Sequence, residues 1–171
     1  MTADGPPFRI LPRLDQDNTF FWKSGADGKL RFLRCSDCGR FVHPPSPVCP
    51  DCLGSDLKPE VVSGRGTVVS FTVNHQQWML GGEHYVIAWV AIDEQPDVRL
   101  TTNLAAVDED DVEIGMPVEV VFEEAGDVYL PLFTPVDRHR RRAEHPGDGS
   151  ALGGGRSTLG GGSALGGGGS A

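Results

Sequence analysis

The stretch CSDCGRFVHPPSPVCPDC, residues 35–52, decides the fold of this chain. It holds all four cysteines, arranged as two Cys-x-x-Cys pairs with ten residues between them: Cys35 and Cys38, then Cys49 and Cys52. Two such pairs can place four thiolates around one tetrahedral Zn²⁺. Because four thiolates fill the coordination sphere, no position remains for water or substrate. The pattern therefore indicates a structural zinc ribbon.

The competing interpretation is a secreted domain in which the same cysteines form two disulfides. The first residues lack the charged and apolar segments of a secretory signal peptide. Thiolate zinc sites also suit a reducing compartment. We therefore expect a metal site in a cytoplasmic protein. No apolar run approaches the roughly 18 residues of a membrane span, so we expect no membrane insertion.

The residues before the first cysteine predict a strand and a short helix. Residues 30–34 lead into the first cysteine pair as a strand, and Phe41 and Val42 form its return strand. Upstream, residues 15–18 offer helix N-caps before residues 19–23, and glycines follow. This helix carries three adjacent aromatic residues, Phe20, Phe21 and Trp22. Neighbours about 100° apart cannot all face one small core, so one or two are expected to cover the ribbon or a partner. The alternative is that all three pack internally.

After Cys52 the sequence becomes rich in β-branched residues with alternating polarity, which is typical of strands. A turn at 93–97, containing Pro96, is expected between the second and third strands. The five predicted strands are residues 67–73, 85–92, 98–104, 118–123 and 129–133. Five strands of this length favour a Greek-key barrel of the OB type over an open sandwich.

The predicted fold class is mainly β, in four consecutive parts. Residues 1–29 form an extended segment and the short helix, and residues 30–60 form the zinc ribbon. Residues 61–137 form the five-stranded OB-fold barrel. Residues 138–171 form a basic segment and a Gly/Ser-rich tail with three near-repeats, a composition that behaves as a flexible coil. The sequence does not distinguish a native linker from an added segment.

The charge distribution bears on the kind of partner. The formal net charge is −9, and the cluster at 138–144 contributes +3, which leaves −12 on residues 1–137. Binding of nucleic acid depends on positive side chains that neutralise phosphates. The strongly negative charge of residues 1–137 therefore argues against it. Nucleic-acid binding stays a weaker alternative, because zinc ribbons and OB folds serve that purpose in other proteins.

The order of these parts resembles the family catalogued as domain of unknown function thirty-five, a zinc ribbon joined to an acyl-CoA-associated OB-fold. The resemblance covers about residues 15–136. Its motifs lie at residues 21–22, 28–30, 34–39, 44–45, 49–52, 63–68, 70–73, 115–118 and 131–135. As a set, these motifs are far more specific than any one of them.

The resemblance implies an accessory subunit of a thiolase-fold enzyme. Archaeal members belong to assemblies of acetoacetyl-CoA thiolase and hydroxymethylglutaryl-CoA synthase. Similar actinobacterial domains accompany lipid-transfer-protein-like thiolases that act as retro-aldolases on steroid side-chain acyl-CoA thioesters, and some are fused to MaoC-like hydratase domains. For this chain it implies a non-catalytic subunit in lipid metabolism that helps a partner to bind or channel an acyl-CoA. The identity of the partner, the acyl group and the stoichiometry stay open.

Seven residues are candidates for contacts with the partner or the acyl-CoA. His75 and His84 flank a loop carrying Trp78 and Met79, and OB folds commonly bind ligands through this connection. Aromatic residues and Met are typical interface anchors, although Trp78 could instead fold over the barrel mouth. Arg65 lies in a glycine turn where it could meet a CoA phosphate, or the turn could simply join ribbon to barrel. Phe21 and Trp22 of the predicted helix complete the set.

Other chemistry-bearing residues receive a plainer interpretation. His43 lies inside the ribbon loop, but four thiolates already satisfy a zinc ion. His139 and His145 fall in the tail and are expected to be solvated. The acidic run at 108–111 is interpreted as a helix start or a loop and not as a metal site, because it lacks the glycine-bearing pattern of a Ca²⁺ loop.

Overall fold

The computed structural model describes residues 10–76 and 84–136. Its order of elements confirms the predicted fold class: a short helix, a small ribbon sheet, then a five-stranded curled sheet. The predicted tail and the loop residues Trp78 and Met79 lie outside the described residues. Among the residues that the structure describes, no helix combines the length and the apolar character that a membrane span requires.

The N-terminal helix α1 spans Thr19–Trp22 and is followed by a 3-10 turn at Ser24–Asp27. Its start is organised by Asp15, whose carboxylate accepts hydrogen bonds from the backbone N–H groups of Asp17 at 3.0 Å and Asn18 at 2.9 Å. Asn18 occupies the N-cap position but makes no side-chain capping bond. The N-cap therefore lies within the predicted segment, residues 15–18. The side chain that organises the turn belongs to Asp15, three residues before the N-cap.

The three aromatic residues of α1 all reach the hydrophobic core. Phe21 is only 3% exposed, whereas Phe20 and Trp22 are half-buried against the same core. The Phe21 ring also covers the ribbon, since its centroid lies 6.1 Å from that of Phe32 and 4.9 Å from that of His43. The sequence left two alternatives for these aromatic residues, covering the ribbon or packing in the core. Phe21 does both, because the helix and the ribbon share one hydrophobic core.

The ribbon contains a three-stranded antiparallel sheet of order β2-β1-β3. Its strands are β1 at Arg31–Cys35, β2 at Phe41–Val42 and β3 at Leu57–Val61. Strand β3 was not predicted from the sequence; it is largely exposed and contains Pro59. Polar residues and proline are tolerated in this strand because β3 lies at the edge of the described sheet, where it pairs with β1.

The barrel is built from a five-stranded antiparallel sheet of order β6-β5-β4-β7-β8. Its strands are β4 at Arg65–Asn74, β5 at Tyr85–Ile92, β6 at Gln95–Asn103, β7 at Pro117–Ala125 and β8 at Val128–Pro135. The outer strands β6 and β8 approach each other through a parallel bridge between Leu104 and Phe133. The Ala105 N–H donates to the Phe133 carbonyl at 2.8 Å beside it. These contacts curl the sheet into the OB-like barrel.

One predicted turn is shorter than expected. Residues 93–97 were expected to connect β5 and β6, but β6 already begins at Gln95 and includes Pro96. Proline fits here because it is the second residue of a strand at the edge of the sheet order. The connection is therefore Asp93 and Glu94 alone.

The ribbon and the barrel are held together by polar contacts as well as by the shared core. The Gln95 side chain accepts from the Phe41 N–H at 2.8 Å and donates to the Phe41 carbonyl at 3.3 Å, so a barrel residue pairs with the backbone of β2. Arg40 bridges the two parts, contacting Asp51 at 2.9 Å and Asp97 at 2.6 Å. The hydrogen bond from Arg40 lowers the pKa of Asp97. The orientation of the ribbon on the barrel is thus fixed by directional contacts.

Candidate metal centre and contact residues

The four cysteine sulfurs converge at one point of the ribbon. The Sγ atoms of Cys35 and Cys52 are 3.5 Å apart, and those of Cys38 and Cys49 are 3.6 Å apart. All four lie within 4.8 Å of one another. A tetrahedral Zn²⁺ with bonds of about 2.3 Å requires sulfurs about 3.8 Å apart, whereas a disulfide requires about 2.05 Å. The thiols are free, and their spacing fits a structural zinc ion and excludes disulfides.

Each cysteine pair is folded by the same backbone hydrogen bond. In the first pair the Gly39 N–H donates to the Cys35 carbonyl at 2.9 Å, and in the second the Leu53 N–H donates to the Cys49 carbonyl at 3.0 Å. Gly39 and Leu53 both adopt positive φ, of 78° and 60°. The two halves of the site are therefore equivalent turns, and glycine occupies the strained position in only one of them.

The ribbon backbone also favours thiolate formation at one buried ligand. The N–H of Cys52 is the largest influence that lowers the pKa of Cys49 to about 7, and the N–H of Asp51 adds to it against the opposing effect of burial. At Cys52 the N–H of Gly54 acts in the same direction, but the neighbouring sulfurs of Cys35 and Cys38 outweigh it and raise the pKa to about 12. Four neighbouring thiolates repel one another, so all four thiols lose their protons only when a cation neutralises the negative charge. Metal binding to this site therefore releases protons.

His43 is not a fifth ligand of this site. Its ring packs between Phe21 and Phe32, with a centroid distance of 4.8 Å to Phe32. Its Nδ1 is buried and has no hydrogen-bond partner among the described residues. Burial lowers the pKa of His43 to about 4. The ring is a neutral member of the aromatic core between helix and ribbon.

The buried His43 predicts a dependence of stability on pH. In the unfolded chain its pKa returns to about 6.5, so below this pH the unfolded state binds a proton that the folded state refuses until about pH 4. The free energy of unfolding should therefore fall as the pH drops from 6.5 to 4, by up to about 3 kcal/mol from this residue.

Comparing urea unfolding of the wild type and of His43→Phe at several pH values above and below 6.5 checks this prediction. The variant keeps an aromatic ring but cannot titrate, so its stability should decline less on acidification. Loss of zinc in acid affects both proteins, and the informative quantity is the difference between them. Parallel curves for the two proteins would show that His43 does not contribute.

The structure separates the seven predicted contact residues into distinct places. Phe21 is buried, so its ring serves the core of this chain, and Trp22 beside it is half-buried. Arg65 begins β4 opposite Glu119 of β7. His75 and His84 are exposed and face each other across the end of the β4–β5 hairpin, with Nδ1 atoms 3.1 Å apart. Trp78 and Met79 lie outside the described residues.

An apolar row on the outside of the barrel was not predicted from the sequence. Tyr85, Ile87 and Trp89 alternate along β5 with buried residues, and Trp89 is 48% exposed. Ile87 and Trp89 line a shallow depression, together with Ser70 and Thr72 of β4. The signal was present, because both alternating sets of this strand are apolar, but sequence alone does not tell which set faces outward.

Fold and site together define a zinc-ribbon protein with a C-terminal OB-fold barrel. The family description "ChsH2, rubredoxin-like zinc ribbon domain" matches residues 22–58, and "ChsH2, C-terminal OB-fold domain" matches residues 60–123. The chain is 34% identical over 115 residues to a DUF35 domain-containing scaffold protein of Methanocaldococcus jannaschii, covering 61% of this chain and 80% of that protein. The chain belongs to the DUF35 family.

Two further relatives are longer than this chain, and both are named as subunits. The chain is 36% identical over 129 residues to a probable enoyl-CoA hydratase alpha subunit of Thermomonospora curvata, which covers 74% of this chain and 40% of that relative. It is 34% identical over 131 residues to the 3-oxo-4,17-pregnadiene-20-carboxyl-CoA hydratase alpha subunit of Mycobacterium tuberculosis, with 76% and 41% covered. The chain thus spans about two fifths of the length of these two relatives.

A solved structure supports the same assignment. A chain of the "Ltp2-ChsH2(DUF35) aldolase" matches with a TM-score of 0.66 and 35% identity, over 73% of this chain and 98% of that chain. The protein is therefore homologous to the DUF35 subunit of an aldolase complex.

Proposed function

We propose that this chain is a non-catalytic accessory subunit that binds a thiolase-fold partner and helps it to bind or channel an acyl-CoA thioester, in the retro-aldol cleavage of a steroid side chain. One observation carries the proposal: the chain matches 98% of a subunit whose structure is that of an aldolase assembly. The hydratase relative from Mycobacterium tuberculosis, whose name contains a pregnadiene-carboxyl-CoA, supports a steroid thioester as the substrate class.

The chemistry of the described residues is compatible with an accessory role. The four cysteines can coordinate one metal ion and would leave it no free position for a substrate. His43 is buried and neutral. The partner would then supply the bases and nucleophiles of the reaction. This chain would contribute a rigid surface, because zinc fixes the ribbon and the Arg40 and Gln95 contacts fix the ribbon on the barrel. The reduced thiolates suit a cytoplasmic location.

The proposed contacts with the acyl-CoA or the partner lie at the end of the β4–β5 hairpin, on the helix and at the start of β4. At the hairpin end these are His75 and His84, with Trp78 and Met79 in the connecting loop. Trp22 remains partly accessible on α1. Arg65 would meet a CoA phosphate through its guanidinium, for which arginine is suited by its bidentate geometry.

A second function is favoured by the archaeal relative. That protein is named a scaffold, and this chain covers 80% of its length. Under this alternative the chain would be an accessory or scaffold subunit of an acetoacetyl-CoA thiolase or hydroxymethylglutaryl-CoA synthase complex. The two longer relatives are named as hydratase subunits, which supports a hydratase domain as a further candidate partner. The family resemblance implies that such a domain would be MaoC-like.

The outer row of β5 predicts a partner contact. A half-exposed Trp in a shallow apolar depression is the kind of residue that contributes most to protein–protein affinity. Replacing Trp89 with alanine is expected to weaken the complex with the co-purified enzyme at least about tenfold, or about 1.4 kcal/mol, without unfolding the barrel. Titration calorimetry measures this. Val121→Ala, an exposed change on β7, serves as the control, and equal affinities for the two variants would argue against docking through β5.

Purification of the chain from its native host, followed by mass measurement of the complex and identification of its components, distinguishes the two candidate functions. A thiolase-fold aldolase in fixed stoichiometry supports the main proposal. An acetoacetyl-CoA thiolase or a hydroxymethylglutaryl-CoA synthase supports the scaffold alternative. Isolation of the chain with nucleic acid, or as a free monomer, would contradict both.

A further inference from the structure

Three potential metal ligands outside the ribbon meet at one end of the barrel. His75 directly follows β4 and His84 directly precedes β5, so the two continue the register of the Asn74–Tyr85 pair across the hairpin. Glu109 comes from the 3-10 turn at Glu109–Asp111, between β6 and β7. The fold therefore brings Glu109 close to two histidines that precede it by 25 and 34 positions in the chain.

The donor atoms of these side chains are close enough to share one ion. The two Nδ1 atoms are 3.1 Å apart, and Nδ1 of His84 lies 3.7 Å from Oε2 of Glu109. The three ligand atoms all lie within 4.8 Å of one another. The imidazole rings are nearly perpendicular, at 89° with centroids 4.5 Å apart, so the rings meet edge to face and do not stack.

We propose that His75, His84 and Glu109 form a second metal site, which takes a divalent first-row ion such as Zn²⁺ through two imidazole nitrogens and one carboxylate oxygen. Tetrahedral Zn²⁺ with bonds of about 2.0–2.1 Å to nitrogen and oxygen requires donors about 3.3–3.4 Å apart. Two of the three donor separations, 3.1 and 3.7 Å, bracket that value, and the third lies within 4.8 Å. The two histidines are exposed, so small rotations complete the geometry at little cost.

The local charge favours a cation at this position. Asp108, Asp110 and Asp111 surround Glu109 in the sequence, and the described barrel is part of a strongly acidic body. The Asp108 carboxylate is already used, because it accepts from the Asp110 N–H at 3.1 Å as the cap of the turn. Glu109 is the carboxylate of this run that lies against the histidines. From the sequence, the run was interpreted as a helix start or a loop and not as a metal site, and the proposal departs from that interpretation for Glu109.

The proposed site differs in kind from the ribbon site. Two imidazoles and a carboxylate are three protein ligands, which leave the fourth position of a tetrahedral zinc ion open to water or to an anionic group, as in catalytic zinc sites. Four thiolates leave no open position. A bound ion would also tie the end of the β4–β5 hairpin to the segment after β6. The inference does not depend on the proposed function, since it concerns this chain alone.

Equilibrium dialysis of the full chain against micromolar Zn²⁺, with metal and protein quantified, tests the proposal. Chain prepared with one zinc in the ribbon is expected to take up a second. The double variant His75→Ala/His84→Ala should return to one zinc per chain, and Glu109→Gln should bind the second ion at least about tenfold more weakly. Retention of the first zinc in each variant shows that the ribbon is folded.

Two control variants make the result specific. Asp111→Asn removes a carboxylate of the same turn, and His139→Ala/His145→Ala removes the two histidines beyond the described residues. Both should keep the second zinc with affinity within about twofold of the wild type. A wild type that binds only one zinc, or a second zinc that persists in His75→Ala/His84→Ala, would overturn the assignment and leave the two histidines as a simple hydrogen-bonded pair.

Discussion

Replacing Cys49 with serine is expected to abolish zinc binding and to unfold the ribbon. Cys49 is fully buried and its sulfur lies 3.6 Å from that of Cys38. Binding of a structural zinc ion contributes an apparent 10–16 kcal/mol or so to folding at neutral pH, which is as large as the whole stability of an ordinary domain, at about 5–15 kcal/mol. The loss of one thiolate from a closed four-thiolate site should therefore have the largest effect of any single substitution.

The damage should extend beyond the ribbon. Leu30 and Phe32, at the start of the ribbon, belong to the same buried cluster as Val68 and Phe133 of the barrel. Metal analysis should give close to one zinc per wild-type chain and almost none for Cys49→Ser, with a lower thermal midpoint for the variant. Ser46→Ala, in the same loop, is the matched control and should retain the metal. A Cys49→Ser protein with full zinc content and unchanged thermal midpoint would contradict the assignment of the ligand.

Truncating Phe133 to alanine is expected to cost about 3–5 kcal/mol of unfolding free energy. Phe133 is fully buried on β8, where its backbone meets Leu104 and Ala105 as the barrel closes. The substitution removes a large apolar side chain at the point where the two outer strands approach each other. A cavity there weakens both the core and the closure of the sheet.

Urea unfolding measures this loss as a shift of the midpoint at a nearly constant slope. The control is Val121→Ala on β7, where the side chain is 37% exposed and the cost should stay within about 0.5 kcal/mol. If Phe133→Ala were no more destabilising than Val121→Ala, the residue would not occupy the closing position of the core.

The metal centre and most strands could be predicted from the sequence because their signals are local. The spacing of the four cysteines is a property of the chain itself, and β5 was predicted with the bounds that it has in the structure, Tyr85–Ile92. The ribbon strand β3 was missed because its residues are polar and include Pro59. Such a strand exists only because β1 offers it a partner, which is information that the local sequence does not contain.

Contacts that depend on tertiary packing could not be predicted from the sequence. Glu109 approaches the two histidines only after β6 has been folded against β5, and Phe21 becomes a core residue only because the ribbon covers it. The outward direction of Trp89 follows from the register of β5 with its neighbours. In each case the residue type was visible, but its neighbour was distant in the chain.

The central claim is that this chain serves a partner enzyme and does not catalyse the reaction itself. An assay of retro-aldol cleavage of a steroid side-chain acyl-CoA, comparing the isolated chain, the isolated partner and the reconstituted complex, tests it most directly. We expect full turnover by the complex and none by the isolated chain. Appreciable cleavage by the zinc-loaded chain alone would contradict the claim.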